Sequence, residues 1–280
     1  MRPSVLVQYV LPHRFLSRLV YWATRWTWTP WKNFLIGQIV RRYDVDLSQA
    51  QLKSPADFEH FNAFFTRSLE PGARTADPAP DALVCPADGR ISQAGPIRDG
   101  RIFQAKGQDY SAAELLASDA DAAPYRDGSF ATVYLSPRDY HRAHMPLAGT
   151  LVETVHVPGR LFSVAPFAVA AVPRLFARNE RLVCHFQSER GPFAVVMVGA
   201  MLVSSVSTVW GGLEIPKYAN RVIRKDYRGR GIRLERFAEM ARFNMGSTVI
   251  VLVPASVASI DAALAPEQTV VVGQRIGTIG

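Results

Sequence analysis

From Leu83 onward the chain is a succession of short Val-, Ile- and Phe-rich runs, each closed by glycine, proline or a charged turn. "ALVCPADGRISQAG", "SFATVYLSP", "GTLVETVHVPGRLFSV", "RLVCHFQSERGPFAVVMVGA" and "STVIVLVPA" are the clearest. Runs of this length and composition suit strands and are too short for most helices. They predict a mainly antiparallel β body, barrel-like or sandwich-like, broken by one helical insertion around residues 110–116. The ending "VVVGQRIGTIG", with "PADGRI" and "LAGTLVE", has small-residue entries to strands that suit hairpin repeats of a hybrid barrel. Helices are expected ahead of this body, so the fold class is α+β. A length of 280 residues accommodates one large domain with a smaller N-terminal attachment.

The N-terminal attachment differs sharply in charge. Residues 1–43 carry seven basic side chains (Arg2, Arg14, Arg18, Arg25, Lys32, Arg41 and Arg42) and no Asp or Glu. The remaining residues carry 25 basic and 24 acidic side chains, so the body is nearly neutral despite a formal charge of +8 overall. A neutral body argues against nucleic acid as a partner, and a basic arm at one end points to an anionic surface. Trp22, Trp26, Trp28 and Trp31, four of the five tryptophans, lie in the same arm. Phe15, Leu19, Trp22 and Trp26 recur at helical spacing over residues 14–27, with Arg14, Arg18 and Arg25 along the edge. Thr29-Pro30 restarts a helix carrying Trp31, Phe34, Leu35 and Ile39. Tryptophan beside arginine without a long apolar run suits a helix lying in a membrane interface; the alternative is a stripe packed on the protein's own core. No apolar segment with a small-residue cleavage site follows the early charges, as a signal peptide would require.

Residues 191–213 are free of charge and long enough to span a bilayer, but serines, threonine and three glycines interrupt them. Residues 193–203 read better as a buried strand. Ser54-Pro55-Ala56-Asp57 has a capping-box arrangement and opens a short helix through Phe58, Phe61, Phe64 and Phe65. "LEPGARTADPAPDA" then reads as an extended connector. The expected organisation is a helical region over 1–70, a connector over 71–82 and a β-rich body over 83–280. Cys85 and Cys184 match no metal spacing and no disulfide-dense scaffold.

Three segments carry reactive side chains. Gly246-Ser247-Thr248 stands at the entrance of the apolar run 249–253. Glycine leaves its carbonyl open to close approach, and the Ser247 hydroxyl follows one residue later, placed to attack the peptide bond before it. A plain turn before a strand is the competing reading. In "YLSPRDYHRAHMPLAG", His141 and His144 lie three apart and are candidates for proton transfer, for metal binding or for inert hydrogen bonding. Two histidines without an H-E-x-x-H pattern leave a metal site incomplete, which favours proton transfer. Asp88, in "CPADGRI", occupies a tight turn; within reach of the histidines it would orient an imidazole. Arg67, beyond the phenylalanines, is a candidate phosphate or membrane contact, or a helix C-terminal charge.

Taken together, "FFTRSL", "PADGRI", "YLSPRDYHRAHMP", "VGAMLVSS" and "FNMGSTVI", in this order behind a basic aromatic arm, resemble bacterial phosphatidylserine decarboxylase proenzymes. Met245 stands where many relatives have leucine, a swap that keeps volume and apolarity. The resemblance implies self-cleavage between Gly246 and Ser247 into a β chain, 1–246, and an α chain, 247–280. Ser247 would be the nucleophile and then the source of a covalent pyruvoyl cofactor. The resemblance maps an Asp–His–Ser arrangement onto Asp88, His144 and Ser247, with His144 as base and His141 assisting decarboxylation by proton delivery. It implies a Schiff base between phosphatidylserine and the pyruvoyl group, and release of carbon dioxide and phosphatidylethanolamine. It further implies a homodimer of processed protomers on the cytoplasmic face of the bacterial inner membrane, held peripherally. Rival readings are a serine hydrolase using Ser247, His144 and Asp88, a pyruvoyl decarboxylase of a soluble amino acid, and a non-enzymatic membrane-bound β module. No G-x-S-x-G elbow supports the first, and the aromatic basic arm argues against the second.

Overall fold

The computed structural model describes residues 3–201, 205–214, 220–245 and 247–280, and of Pro3, Ser4, Arg14 and Ser247 the backbone alone. Arg2 and Gly246, named above, and residues 202–204 lie outside them. Three helices form the arm: α1 (Pro3–Val10), α2 (His13–Arg25) and α3 (Thr29–Tyr43). The apolar stripe on α2 faces outward: Phe15 is 59% and Trp22 74% exposed, with Leu19 and Trp26 also exposed. The face turned to the protein carries Ser17, at 0%, and Thr24, at 4%. Thr24 satisfies its hydroxyl on the Val20 carbonyl at 2.7 Å. This polarity is inverted relative to a helix packed on its own core, so that alternative fails for α2. On α3, Ile36 is buried, and Lys32 is buried with its ammonium donating to the Ala56 carbonyl at 2.8 Å.

The Ser54 capping box forms, but it closes a single 3-10 turn over Pro55–Asp57. The expected single helix is two pieces: Phe58 is extended, and α4 (Phe61–Phe65) starts anew with the His60 ring accepting from the Ala63 N–H. Phe58, Phe61, Phe64 and Phe65 pack with Ile36 of α3 into a small core of their own. No regular element follows until Ala82.

Among the described residues the largest sheet has nine strands, all antiparallel. Its order runs Ile223–Asp226, Gly149–Val157, Arg181–Ser188, Gly191–Gly199, Ser247–Val253, Ser129–Leu135, Gly89–Pro96 and Thr269–Val270, with Arg233–Leu234 also on Gly149–Val157. A four-stranded sheet, Gly212–Leu213, Ser205–Thr208, Glu239–Asn244 and Arg142–His144, a three-stranded one, Ala82–Val84, Arg275–Ile279 and Ala258–Ile260, and a two-stranded one, Arg101–Ala105 and Gln108–Ser111, make up the rest. The alternating pattern of Ser247–Val253 explains its central place. Val249, Val251 and Val253 face one buried cluster with Met197 and Phe243, while Ile250 and Leu252 face another with Phe130 and Phe162.

The α+β class and antiparallel body stand, but the barrel does not: among the described residues no sheet closes on itself. The hairpin repeats fail for the same reason of long-range pairing. Thr269–Val270 pairs with Gly89–Pro96, whereas Arg275–Ile279 pairs with Ala82–Val84 and Ala258–Ile260. The charge-free segment supplies a buried strand, Gly191–Gly199, and among the described residues no helix is long and apolar enough to cross a membrane. The helical insertion expected over 110–116 is Ala112–Leu116, opened by a Ser111–Glu114 capping box with Tyr110 left in the preceding strand, but it is not alone: Asp119–Ala122, Pro166–Val169 and Leu175–Arg178 are further short helices of the body.

Candidate active site

A reciprocal turn brings the histidines back along the body. After strand Ser129–Leu135, the Ser136 N–H donates to the Asp139 carboxylate at 2.7 Å, and the Asp139 N–H donates to the Ser136 carbonyl at 2.9 Å. The chain then runs along Glu239–Asn244, with His144 opposite Glu239 and the Phe243 N–H donating to the His141 carbonyl at 3.0 Å. The segment after α4 holds this loop from outside. Arg142 donates from Nε to the Thr66 carbonyl at 3.0 Å and from Nη1 to Glu239 at 2.8 Å, and it also reaches the Ser68 hydroxyl. Arg67 donates from Nη2 to the Arg138 carbonyl at 2.7 Å. Arg67 is therefore neither a surface contact nor a simple helix-end charge; it is buried, and burial lowers its pKa.

Both imidazoles have their tautomer set by a backbone carbonyl. His141 donates from Nδ1 to the Asp139 carbonyl at 2.8 Å, and His144 donates from Nδ1 to the Phe237 carbonyl at 2.7 Å. Each ring therefore presents a basic Nε2. The His144 Nε2 accepts from the Tyr140 hydroxyl at 3.2 Å, while the His141 Nε2 is buried without a partner among the described residues. The His141 ring lies 4.0 Å from that of Phe65 and is fully buried. Burial pushes its pKa down to about 3, the Asp139 carbonyl opposing this and the nearby Arg67 charge adding to it. Burial also lowers His144, against its bond to Phe237. Both rings are neutral at neutral pH. The Tyr140 phenol, pushed up to about 12 by burial, stays protonated.

Asp88 lies at the same end of the large sheet as Ser247. The row Thr248, Tyr134, Arg90 crosses three neighbouring strands, and Asp88 stands two residues before Arg90. Two strand spacings separate the row's ends, roughly 10 Å. Gly89 is required there, because a Cβ would sit 2.1 Å from the Tyr134 carbonyl oxygen. Adjacent to the turn, the His144 N–H donates to the Pro86 carbonyl at 2.8 Å. The Asp88 carboxylate accepts from Arg74 Nε at 2.9 Å and from the Val272 N–H at 2.8 Å, and it pairs with Arg74 Nη2. No hydrogen bond joins it to either histidine; its charge acts on His144 through space, favouring the protonated ring. The Ser247 backbone pairs with Leu135 on one side and Gly199 on the other.

A cleft of about 280 Å³ lined by Arg67, Arg74, Asp88, Asp139 and Tyr140 opens beside these groups. A larger one, about 520 Å³, lies against Arg190, Arg233 and Arg236 and holds none of them, so chemistry and not size selects the site. Asp121, Glu153 and His185 have metal-like spacing elsewhere, but Arg224 already bridges the two carboxylates. Sequence reasoning missed Arg74, Tyr140 and the Asn62–Asn244 bond of 2.9 Å. Of these, Tyr140 alone carried a signal, through its place beside His141.

Comparison with known proteins agrees along the whole chain. A family model described as phosphatidylserine decarboxylase matches residues 61–278, and one described as PSD matches residues 3–44. A phosphatidylserine decarboxylase proenzyme of Xanthomonas axonopodis pv. citri (strain 306) is 64% identical over 269 residues, covering 96% of each chain. One from Stenotrophomonas maltophilia (strain R551-3) is 59% identical over 276 residues, covering 99% of each.

Proposed function

Because this chain belongs to the phosphatidylserine decarboxylase family, we propose that it splits itself between Gly246 and Ser247 and then converts phosphatidylserine to phosphatidylethanolamine and carbon dioxide. In the splitting reaction His144 Nε2 takes the Ser247 hydroxyl proton as the oxygen attacks the Gly246 carbonyl carbon. The amide C–N bond breaks, the nitrogen receives the proton, and an ester replaces the amide. Loss of the Ser247 α-proton and cleavage of its Cβ–O bond release Gly246 as a carboxylate and leave dehydroalanine. Water hydrolyses its imine tautomer, ammonia leaves, and residue 247 becomes a pyruvoyl group that caps Thr248. Asp88, fixed by Arg74, lends negative charge that favours protonated His144 without touching it.

The residues fit this cofactor. It forms in place at the start of a central strand whose neighbours, Leu135 and Gly199, hold the backbone, and the unpartnered His141 Nε2 is a proton carrier buried nearby. When formed, the group supplies a carbonyl that withdraws the electrons left by departing carbon dioxide. The substrate ammonium loses its proton to water as it condenses, and His141 delivers a proton drawn from solvent to the carbon that loses carbon dioxide. A ring that binds protons weakly gives them up readily, which suits this role.

Phe15, Leu19, Trp22 and Trp26, exposed on α2 beside basic residues, support docking on an anionic bilayer. Each half-exposed large side chain offers roughly 1–2 kcal/mol on burial. Docking on the cytoplasmic leaflet and pairing of two processed protomers are the finer parts of the same reading; positive charge confined to the arm supports the first, and the prevalence of symmetric pairs among enzymes the second.

The observation that carries the assignment is the pair of imidazoles whose Nδ1 atoms are fixed on backbone carbonyls, leaving basic Nε2 atoms, in the segment that follows the strand paired with Ser247. The test separates them. His144→Ala should leave one uncut chain, whereas His141→Ala should split normally and lose turnover of phosphatidylserine in mixed vesicles; the reverse pattern would exchange the two roles.

A further inference from the structure

The link that self-splitting has to break is two residues long and passes between two sheets. Strand Glu239–Asn244 belongs to the four-stranded sheet and strand Ser247–Val253 to the large one, and only Met245 and Gly246 lie between them. Both sides are clamped. Upstream, the Asn244 side chain donates to Ser205 Oγ at 2.8 Å and Ser207 Oγ at 3.1 Å, and accepts from Asn62 Nδ2 at 2.9 Å. Downstream, Ser247 and Thr248 are paired on both flanks, and Thr248 is fully buried. The chain therefore cannot ease the link by shifting either end.

Met245 takes up the turn with φ +89°, a left-handed conformation that a residue with a Cβ rarely adopts. Its side chain is also held, packed against the cluster of Phe58, Phe61, Phe64, Phe65 and Ile36. Phe65 of that cluster is the ring on which His141 lies. Ile36 comes from α3, so the arm helps fix the residue that precedes Gly246.

We propose that Met245 is a positioning residue for self-splitting: the clamped fold holds its backbone in a strained conformation, one residue ahead of Gly246, that is relieved when the Gly246–Ser247 bond opens. This rests on the processing reaction proposed above, in which the Ser247 oxygen bonds to the Gly246 carbonyl carbon, the C–N bond breaks and the hydroxyl proton ends on nitrogen. Strain of this kind is worth on the order of tenfold or more in rate if most of it is released as the ester forms.

Glycine tolerates this φ without cost, so Met245→Gly removes the strain. Splitting of newly made Met245→Gly protein, followed by denaturing gel and intact mass, should slow on the order of tenfold. Met245→Leu, which keeps both strain and packing, should split at the wild-type rate. In a Ser247→Ala background, which keeps the precursor whole, Met245→Gly should have a higher urea midpoint than Met245→Ala, which loses the same packing but keeps the strain; a role in packing alone would leave Met245→Gly no higher. Splitting of Met245→Gly at or above the wild-type rate, or a midpoint no higher than that of Met245→Ala, would overturn the proposal. A wild-type chain that never splits would instead sink the processing reaction on which it rests.

Discussion

Protonating His141 should destabilise the precursor, by an amount that follows from its burial. The ring is fully buried, with its free pKa of 6.5 pushed down to about 3. Between those values the unfolded chain binds a proton that the folded chain refuses. Stability is therefore complete above about pH 6.5 and falls as the pH is lowered toward 3. The slope is about 1.4 kcal/mol per pH unit for one proton, so roughly 2 kcal/mol is lost between pH 6.5 and pH 5. His13, His144 and His185 are also lowered by burial and add to the same trend, so the comparison must isolate one ring. His141→Asn serves, since its amide nitrogen can replace Nδ1 on the Asp139 carbonyl and it does not titrate. Urea unfolding of Ser247→Ala and Ser247→Ala/His141→Asn precursors at pH 5, 6 and 7 gives the two slopes. The double variant should lose about 2 kcal/mol less than the single one between pH 7 and pH 5. Equal losses would refute the reasoning, because His141 would then take up its proton in the folded state.

Two further outcomes follow from the arm and from the acidic turn. Trp22→Ala/Trp26→Ala should weaken retention on phosphatidylglycerol-containing vesicles at least tenfold while leaving the unfolding midpoint nearly unchanged, since both rings are exposed; a shifted midpoint with unchanged retention would mean the stripe serves the fold. Arg74→Leu should cost about 3–5 kcal/mol in urea unfolding, because it strands the buried Asp88 carboxylate with the Val272 N–H as its remaining donor.

The fold was legible where it depends on local period. The helical recurrence of Phe15, Leu19, Trp22 and Trp26 marked α2, and the Val/Ile run marked the central strand. What period could not show is which way a face turns. The apolar stripe of α2 points out while Ser17 and Thr24 turn inward, a choice made by distant neighbours. Barrel closure was read from strand count, but closure depends on which edges pair, and Arg275–Ile279 joins Ala82–Val84 across most of the body.

Within the site, the reactive residue types were visible while their supports were not. His141, His144 and Asp88 stand in distinctive segments, but Arg74 is buried in a Pro- and Ala-rich connector with nothing local to mark it. The Asn62–Asn244 bond joins residues 182 apart in sequence. The carbonyls of Asp139 and Phe237 that set the imidazole tautomers carry no sequence signal, since every residue has a carbonyl.

Intact mass of the active protein under denaturing conditions probes self-processing most directly. Two polypeptides are expected, residues 1–246 and residues 247–280, the smaller blocked at its N-terminus and reactive toward carbonyl reagents, with Ser247→Ala remaining whole. A single unmodified 280-residue chain in a preparation that decarboxylates phosphatidylserine would contradict it.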